Sequence, residues 1–404
     1  MPPRLFYGWF VVAAAFTVTF VGFGSAYTFS AFVGSLQREF AASRGSVSLV
    51  FSLAGFLYFG LGILTGPLAD RIGARRLCIV GMVMVGLGLG CAGMSHTLEQ
   101  VYVAYGLGMG LGVGCSYVPA VAVVQRWFVK RRGFASGLAV SGIGVGTLVM
   151  PPLAAHLVSA LGWRHAYWAL GVLSMVVGVG MALLIENDPR DRGLAPDGDA
   201  LQEGEAPRVQ SGFSVRAALG SRRFIGLYAA CLSCSFGLFV PFVHLIPFAI
   251  DHGVAQTSAV LLLGAIGVGS TGGRFILGGV ADTLGREVTL VLMFAGMALV
   301  LLCWIFATAF WGMAVFALAY GVVYGGFVAV LPALVMDYFG GRNVSGIIGI
   351  LYTSVALGTL VGPSAAGFAF DLSHSYTLPI LIGTCGNAIA ACIMVAVAKS
   401  AATR

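Results

Sequence analysis

GPLADRIG, residues 66–73, and GGVADTLG, residues 278–285, share a pattern at an offset of 212 residues, with Gly66 meeting Gly278 and Asp70 meeting Asp282. The same offset carries Gly146-Thr-Leu-Val-Met-Pro151 onto Gly358-Thr-Leu-Val-Gly-Pro363. Trp127-Phe128 corresponds to Tyr338-Phe339, one residue off that register. Three matches in order describe a duplicated chain. Duplicated sets of apolar helices are a transporter signature, and the site they share lies between the copies near the middle of the membrane.

The rest of the composition agrees with a membrane protein. Of the 404 residues, 59% are hydrophobic and only 9% charged, where about a quarter charged is usual for a soluble domain. Hydropathy resolves into twelve apolar segments of roughly 20 residues, each matching the ~30 Å hydrocarbon core. They fall at 8–36, 47–68, 76–95, 98–125, 133–157, 164–186, 222–250, 257–281, 287–306, 310–336, 343–369 and 375–398. Unpaired backbone groups are not tolerated in lipid, so these segments are expected to be helices. The first, which follows Met1–Tyr7, is too long for a cleavable signal peptide. The polar stretch from Glu186 to Arg223 mixes both charge signs with Pro and Gly and lacks apolar periodicity, so it reads as a solvated linker. The expected organisation is a six-helix half at 1–186, a cytoplasmic linker at 187–221 and a second six-helix half at 222–404.

The net charge of +7 reports topology and gives no reason to expect a nucleic-acid partner. Of the 22 Lys and Arg, only Arg38, Arg44 and Arg164 fall on one side of the expected membrane and Arg274 falls within it, leaving eighteen on the other side. The positive-inside rule makes that richer side, with both termini, cytoplasmic. A bacterial inner membrane fits the short termini and small loops. All eight cysteines lie in apolar segments; Cys231-Leu-Ser-Cys234 has a redox or metal spacing, but no second pair or nearby histidine completes a site, and buried structural thiols are the better reading.

Arg274 sits inside the apolar run Ser258–Val280, with no other ionisable group in that run. A mid-membrane arginine costs roughly 2.5–3.5 kcal/mol to insert, so its default reading is a functional cation facing a polar interior. The guanidinium keeps its charge and its planar fork matches a carboxylate in two-point contact. The competing reading is a structural arginine on backbone carbonyls or one snorkelling to the surface. Asp282, near the surface, is eight residues on, about 12 Å at helical rise, too far for easy snorkelling. Ser270 lies one turn earlier on the same face.

At these residues the chain resembles the major facilitator superfamily. Gly66-Pro-Leu-Ala-Asp-Arg-Ile-Gly-Ala-Arg-Arg76 is similar to its diagnostic loop between helices 2 and 3, with a weaker copy between helices 8 and 9. Tyr7-Gly8-Trp9, the stretch Arg126–Gly137, Pro241-Phe-Val-His244-Leu and Gly269-Ser-Thr-Gly-Gly-Arg274 resemble its monocarboxylate-transporter and oxalate/formate-exchanger branches. The resemblance implies twelve transmembrane helices in two pseudo-symmetric halves, rocker-switch alternating access and Arg274 as the carboxylate anchor. It also places helices 1, 4, 7 and 10 around the cavity. The chain departs from those branches at three points. Ser270 stands where animal-type carriers have an acid, Tyr27 aligns with their helix 1 lysine, and Tyr352-Thr353-Ser354 leads into Val355 where the exchangers have a lysine. A single buried cation suits one carboxylate better than two.

Tyr27, Tyr117, Tyr324 and Tyr352 fall in helices 1, 4, 10 and 11. A tyrosine offers an apolar ring and one hydroxyl, suiting a small organic acid, although each is also an ordinary packing residue. His244 lies between Pro241 and Pro247 and either relays a proton or bonds a carbonyl freed by the broken helix. Asp70, Arg71, Arg75, Arg126 and Asp282 read as a cytoplasmic latch whose ion pairs break as the halves rock, with a plain topology anchor as the alternative. The glycine ladder Gly106–Gly114 lies within a membrane helix and is read as close helix packing. No Walker-type lysine motif, metal cluster or catalytic triad spacing is present, so no cofactor or metal is expected.

The expected function is therefore secondary transport of small monocarboxylates of the lactate or pyruvate kind, with proton symport, by a chain that acts as a monomer in the bilayer. The competitors are an oxalate/formate-type exchanger, a carrier of other organic or aromatic acids and, outside transport, a carrier-like sensor.

Overall fold

A computed structural model describes residues 6–129, 132–198, 212–340 and 343–402. Among the described residues the chain forms twelve long helices and no β-strand. They are α1 (Gly8–Phe40), α2 (Arg44–Gly60, continued through a 42° bend by Gly62–Ile72), α3 (Ala74–Gly93) and α4 (Leu98–Trp127). A continuous run, Phe134–Ala182, follows. It breaks at Gly162, whose φ of 79° lies in the left-handed region, and so supplies two spans, α5 (134–161) and α6 (163–182). The set is completed by α7 (Arg222–Asp251), α8 (Gln256–Leu284), α9 (Arg286–Trp304), α10 (Phe310–Phe339), α11 (Val344–Ser373) and α12 (Thr377–Ala402). An even number of spans brings both chain ends to one face, called here the terminal face; the loops after α1, α3, α5, α7, α9 and α11 lie on the opposite face.

The repeat is visible in the backbone. Gly73 closes α2 at φ 91°, ψ 141°, and Gly285 closes α8 at φ 88°, ψ 140°. Both are the final glycine of the duplicated octapeptide, and both hold a conformation that a Cβ disfavours. Each marks a sharp stop at the terminal face before the next helix begins one residue later.

Two helices are interrupted at mid-membrane. In α1 the break falls at Thr28, whose hydroxyl donates to the Ser25 carbonyl at 2.7 Å, a back-bond that competes with the helical ladder. In α7 the break falls at Phe239, just before Pro241, which has no N–H to continue the ladder. The Leu238 carbonyl left free there accepts from the Tyr320 hydroxyl. Irregular backbone at this depth is tolerated where it is enclosed by protein, and both breaks are buried.

The first six and last six helices meet along α2 against α11 and α5 against α8. On the first seam a Cβ on Gly55 would strike the side chain of Thr359, and Gly62 approaches Gly349 backbone to backbone. On the second, Gly144 faces Thr271 and Gly267 faces Leu148. All eight cysteines are free thiols.

Candidate functional site

Arg274 lies on α8 with its side chain turned inward and is only 5% exposed. Among the described residues, none of Nε, Nη1 and Nη2 has a hydrogen-bond partner. A snorkelling arginine would expose its head, and a structural one would bond carbonyls, so neither competing reading describes this side chain. Its electrostatic neighbours are the phenols of Tyr324, Tyr117, Tyr27 and Tyr352, from α10, α4, α1 and α11. Four helices, two from each half, thus converge on one cation.

α8 is held in this place by α10. A Cβ on Gly273 would strike the Val322 carbonyl, and one on Gly325 the carbonyl of Ser270, so the two backbones touch. That contact fixes the face of α8 that carries Ser270 and Arg274. The Ser270 hydroxyl, one turn before Arg274, is buried and has no partner among the described residues.

Beside this cluster is a cavity of about 30 Å³, lined by Tyr117, Tyr324, Tyr352, Phe23, Phe59 and Phe239 among others. It has room for one or two water molecules, less than a three-carbon acid requires, so loading it demands movement of the walls. The Tyr27 and Tyr324 hydroxyls meet across the two halves at 3.3 Å. Tyr27 also packs its ring on Phe242 with centroids 4.7 Å apart. The wall combines aromatic rings with the aliphatic side chains of Ile143, Leu238, Val328, Leu331 and Val355, and its polar components are phenol groups.

The structure adds one residue that sequence reading passed over. Tyr58 on α2 is 3% exposed and its hydroxyl has no partner among the described residues. It is an electrostatic neighbour of Tyr27 and Tyr324 and packs on Phe23 at 5.5 Å. The 212-residue offset maps Tyr58 onto Ser270, so the repeat carried the signal.

Other expected site residues lie elsewhere. His244 is fully enclosed but belongs to the seam at the opposite face, where Nε2 lies 2.8 Å from the Pro363 carbonyl and Nδ1 lies 3.0 Å from the Tyr376 hydroxyl. The carbonyl it meets is thus on α11 and not the one freed in its own helix. At the terminal face Asp282 pairs with Arg286, 3.4 Å away on the next helix, and Arg286 also pairs with Asp337. Both pairs stay within the second half. The Arg75 backbone N–H donates to Asn187, and Arg126 is engaged with a neighbour. Arg71 lies exposed in the last turn of α2. The Asp70 side chain lies outside the described residues. No group of His, Cys, Asp or Glu suited to a metal occurs among the described residues.

A twelve-helix bundle with an internal repeat and a polar cluster at its centre has the architecture of a secondary carrier. The sequence profile of the Major Facilitator Superfamily matches residues 14–319 and 275–402, and the chain belongs to that superfamily. Monocarboxylate transporter 12-B of Danio rerio is 28% identical over 406 residues, covering 93% of this chain and 84% of the relative. Monocarboxylate transporter 11 of Homo sapiens is 28% identical over 391 residues, covering 94% and 81%. A bacterial homologue of the human lysosomal transporter Spinster, in an inward-facing and unoccupied conformation, superposes with a TM-score of 0.69 at 14% identity. That superposition covers 99% of this chain and 96% of the other, and it shows the shared fold. The protein is a multi-pass membrane transporter of that superfamily, similar to the monocarboxylate transporters, and not an enzyme.

Proposed function

We propose that this carrier moves small organic monocarboxylates together with protons, by rocking its two six-helix halves about a central site. The observation that carries the reading is the Arg274 guanidinium, buried with all three nitrogens unpartnered among the described residues. A buried cation without a counter-charge is costly, and a bound carboxylate removes that cost while filling two N–H positions in one plane. The empty carrier therefore resists closing over its own charge, and the loaded one does not.

The phenols define what else the anion meets. Tyr27, Tyr117, Tyr324 and Tyr352 supply hydroxyls, with Ser270 and Tyr58 adding two that have no partner among the described residues. Phe23, Phe59 and Phe239 form the apolar wall. An acid with a short carbon skeleton fits this lining better than oxalate, whose second charge would find no second cation there. The names of the two monocarboxylate-transporter relatives and the departures at Ser270, Tyr27 and Val355 support the same choice.

The basic excess on the terminal face supports a cytoplasmic location for the termini and the linker, with the opposite face outside. Uptake of labelled lactate or pyruvate into proteoliposomes under imposed pH gradients tests the proposal. Accumulation should follow an inward-directed proton gradient and vanish without it. Gradient-independent counterflow would make the protein an exchanger, and absence of any carboxylate flux would overturn the substrate assignment.

A further inference from the structure

The seam at the opposite face is closed by a continuous polar network that joins the halves. Arg44, the first residue of α2, donates through Nη1 and Nη2 to the carboxylate of Asp251 at the end of α7, at 2.6 and 2.8 Å. Its guanidinium lies 4.1 Å from the centre of the Phe370 ring and donates to the Tyr376 hydroxyl at 3.0 Å. Asp371 at the end of α11 accepts the backbone N–H groups of Arg44 and Gly45 at 2.9 and 2.8 Å, capping a helix of the other half. Deeper in, Tyr376 meets His244 Nδ1, and His244 Nε2 meets the Pro363 carbonyl.

Donor and acceptor roles in this chain follow once the imidazole is neutral. A carbonyl only accepts, so Nε2 carries the hydrogen that points at Pro363. Arg44 only donates, so the Tyr376 oxygen accepts from it, and with a neutral imidazole the Tyr376 hydroxyl donates to Nδ1. A neutral imidazole completes this chain, whereas an imidazolium would share the Tyr376 oxygen with the Arg44 cation. The ionisable groups around His244 are Arg44, Asp371, Tyr376 and, on its own helix, Asp251 and His252. The stretch of α8 between Gln256 and Gly273 holds none, and at the end of α1 Glu39 is engaged by Arg164 while Arg38 is exposed.

We infer that His244 is a proton-binding site that controls opening of this face: the closed seam excludes the proton and the open seam admits it. A proton arriving on Nδ1 makes that nitrogen a donor. The Tyr376 oxygen then receives hydrogens from two cations, Arg44 and the imidazolium, and its own hydrogen must turn away. The network that crosses the halves loses its connection at Tyr376, and Arg44 and His244 repel one another. No covalent bond other than N–H changes. Acid on this face thus favours the open state, as a carrier that loads where protons are abundant requires. The inference rests on the functional proposal above only for the solution to which His244 opens.

The test needs no substrate. Spin labels on Ser159→Cys and Thr308→Cys, at the opposite-face ends of the two halves, report the opening in full-length protein in lipid nanodiscs, after the exposed Cys91, Cys303, Cys385 and Cys392 are replaced by serine. From about pH 8 to about pH 5.5, the range in which imidazole changes charge, the long-distance population should rise about three-fold or more. His244→Gln should abolish that response. Tyr376→Phe keeps the ring but removes the relaying hydroxyl, and should raise the open population at both pH values with little further response. A distance distribution in the unsubstituted protein that ignores pH would overturn the inference, as would a full response in His244→Gln. Should His244→Gln not fold, a full response in Tyr376→Phe has the same force. Carboxylate flux can fail while this response stands, and the converse, so the two proposals are separable.

Discussion

At the level of single residues, the site holds a guanidinium and the Ser270 and Tyr58 hydroxyls without hydrogen-bond partners among the described residues. Arg274 with lysine in its place keeps one charge but loses the planar fork. The loss of one charge-assisted bond, about 1.5–3 kcal/mol, predicts a fall of roughly ten- to a hundred-fold in kcat/KM for monocarboxylate uptake in Arg274→Lys. Unchanged uptake kinetics would contradict the two-point grip. Tyr58→Phe makes a different prediction. Its hydroxyl has no partner among the described residues, so removing it should leave thermal stability unchanged or slightly raised, while KM rises about two- to ten-fold. A drop in melting temperature with unaltered KM would place Tyr58 in packing alone. Arg274 was legible because a charge within an apolar run stands out from hydropathy. Tyr58 was not, since a tyrosine in an apolar helix is ordinary until the fold shows that its hydroxyl has nothing to bond; only the repeat register to Ser270 pointed at it.

Among the helices, the duplicated octapeptide contributes its final glycine. Gly73 and Gly285 share one backbone conformation but differ in surroundings: a Cβ on Gly73 would lie 2.6 Å from Asn187 Nδ2, while one on Gly285 meets nothing within 4 Å. Gly285→Ala should therefore cost only the left-handed backbone penalty, about 1–2 kcal/mol, and Gly73→Ala should cost more. Thermal unfolding in one detergent compares the two, and equal shifts would show that Asn187 yields freely. The helix spans themselves were readable from hydropathy because lipid demands about twenty apolar residues from each. Their interruptions were less so. The α1 break at Thr28 arises from a side-chain back-bond, and α5 and α6 run on with one glycine between them, where the linear reading left a six-residue gap. Such breaks depend on local geometry that composition does not reveal.

For the molecule as a whole, the proposed rocking of the halves requires the α2–α11 seam to part. Ser52 and Ser364 face one another across it with their hydroxyl oxygens 2.7 Å apart. Converting both to cysteine changes little volume and places two sulfurs within bonding reach. Oxidation of Ser52→Cys/Ser364→Cys should arrest carboxylate uptake and reduction should restore it; full uptake by protein shown to be cross-linked would mean that this seam does not open. At the terminal face the described ion pairs of Arg286, with Asp282 and Asp337, lie within one half, while Arg44 bridges to Asp251, 207 residues away in sequence. Arg44 reads from the sequence only as one of the few basic residues on the sparsely charged side.

The linear sequence by itself determined that the chain crosses the membrane repeatedly, that it does so as two related sets of helices, and that one cation is buried where an anion would be welcome. Each of these follows from free energies of transfer between water and hydrocarbon, which act on residues one at a time or in short runs. Tertiary structure alone decided which phenols surround Arg274, that its nitrogens are left unpaired among the described residues, and that His244 serves a seam and not the central cluster. Those outcomes depend on helices distant in sequence meeting at close range, and hydrogen bonds are satisfied or withheld only once that packing is complete.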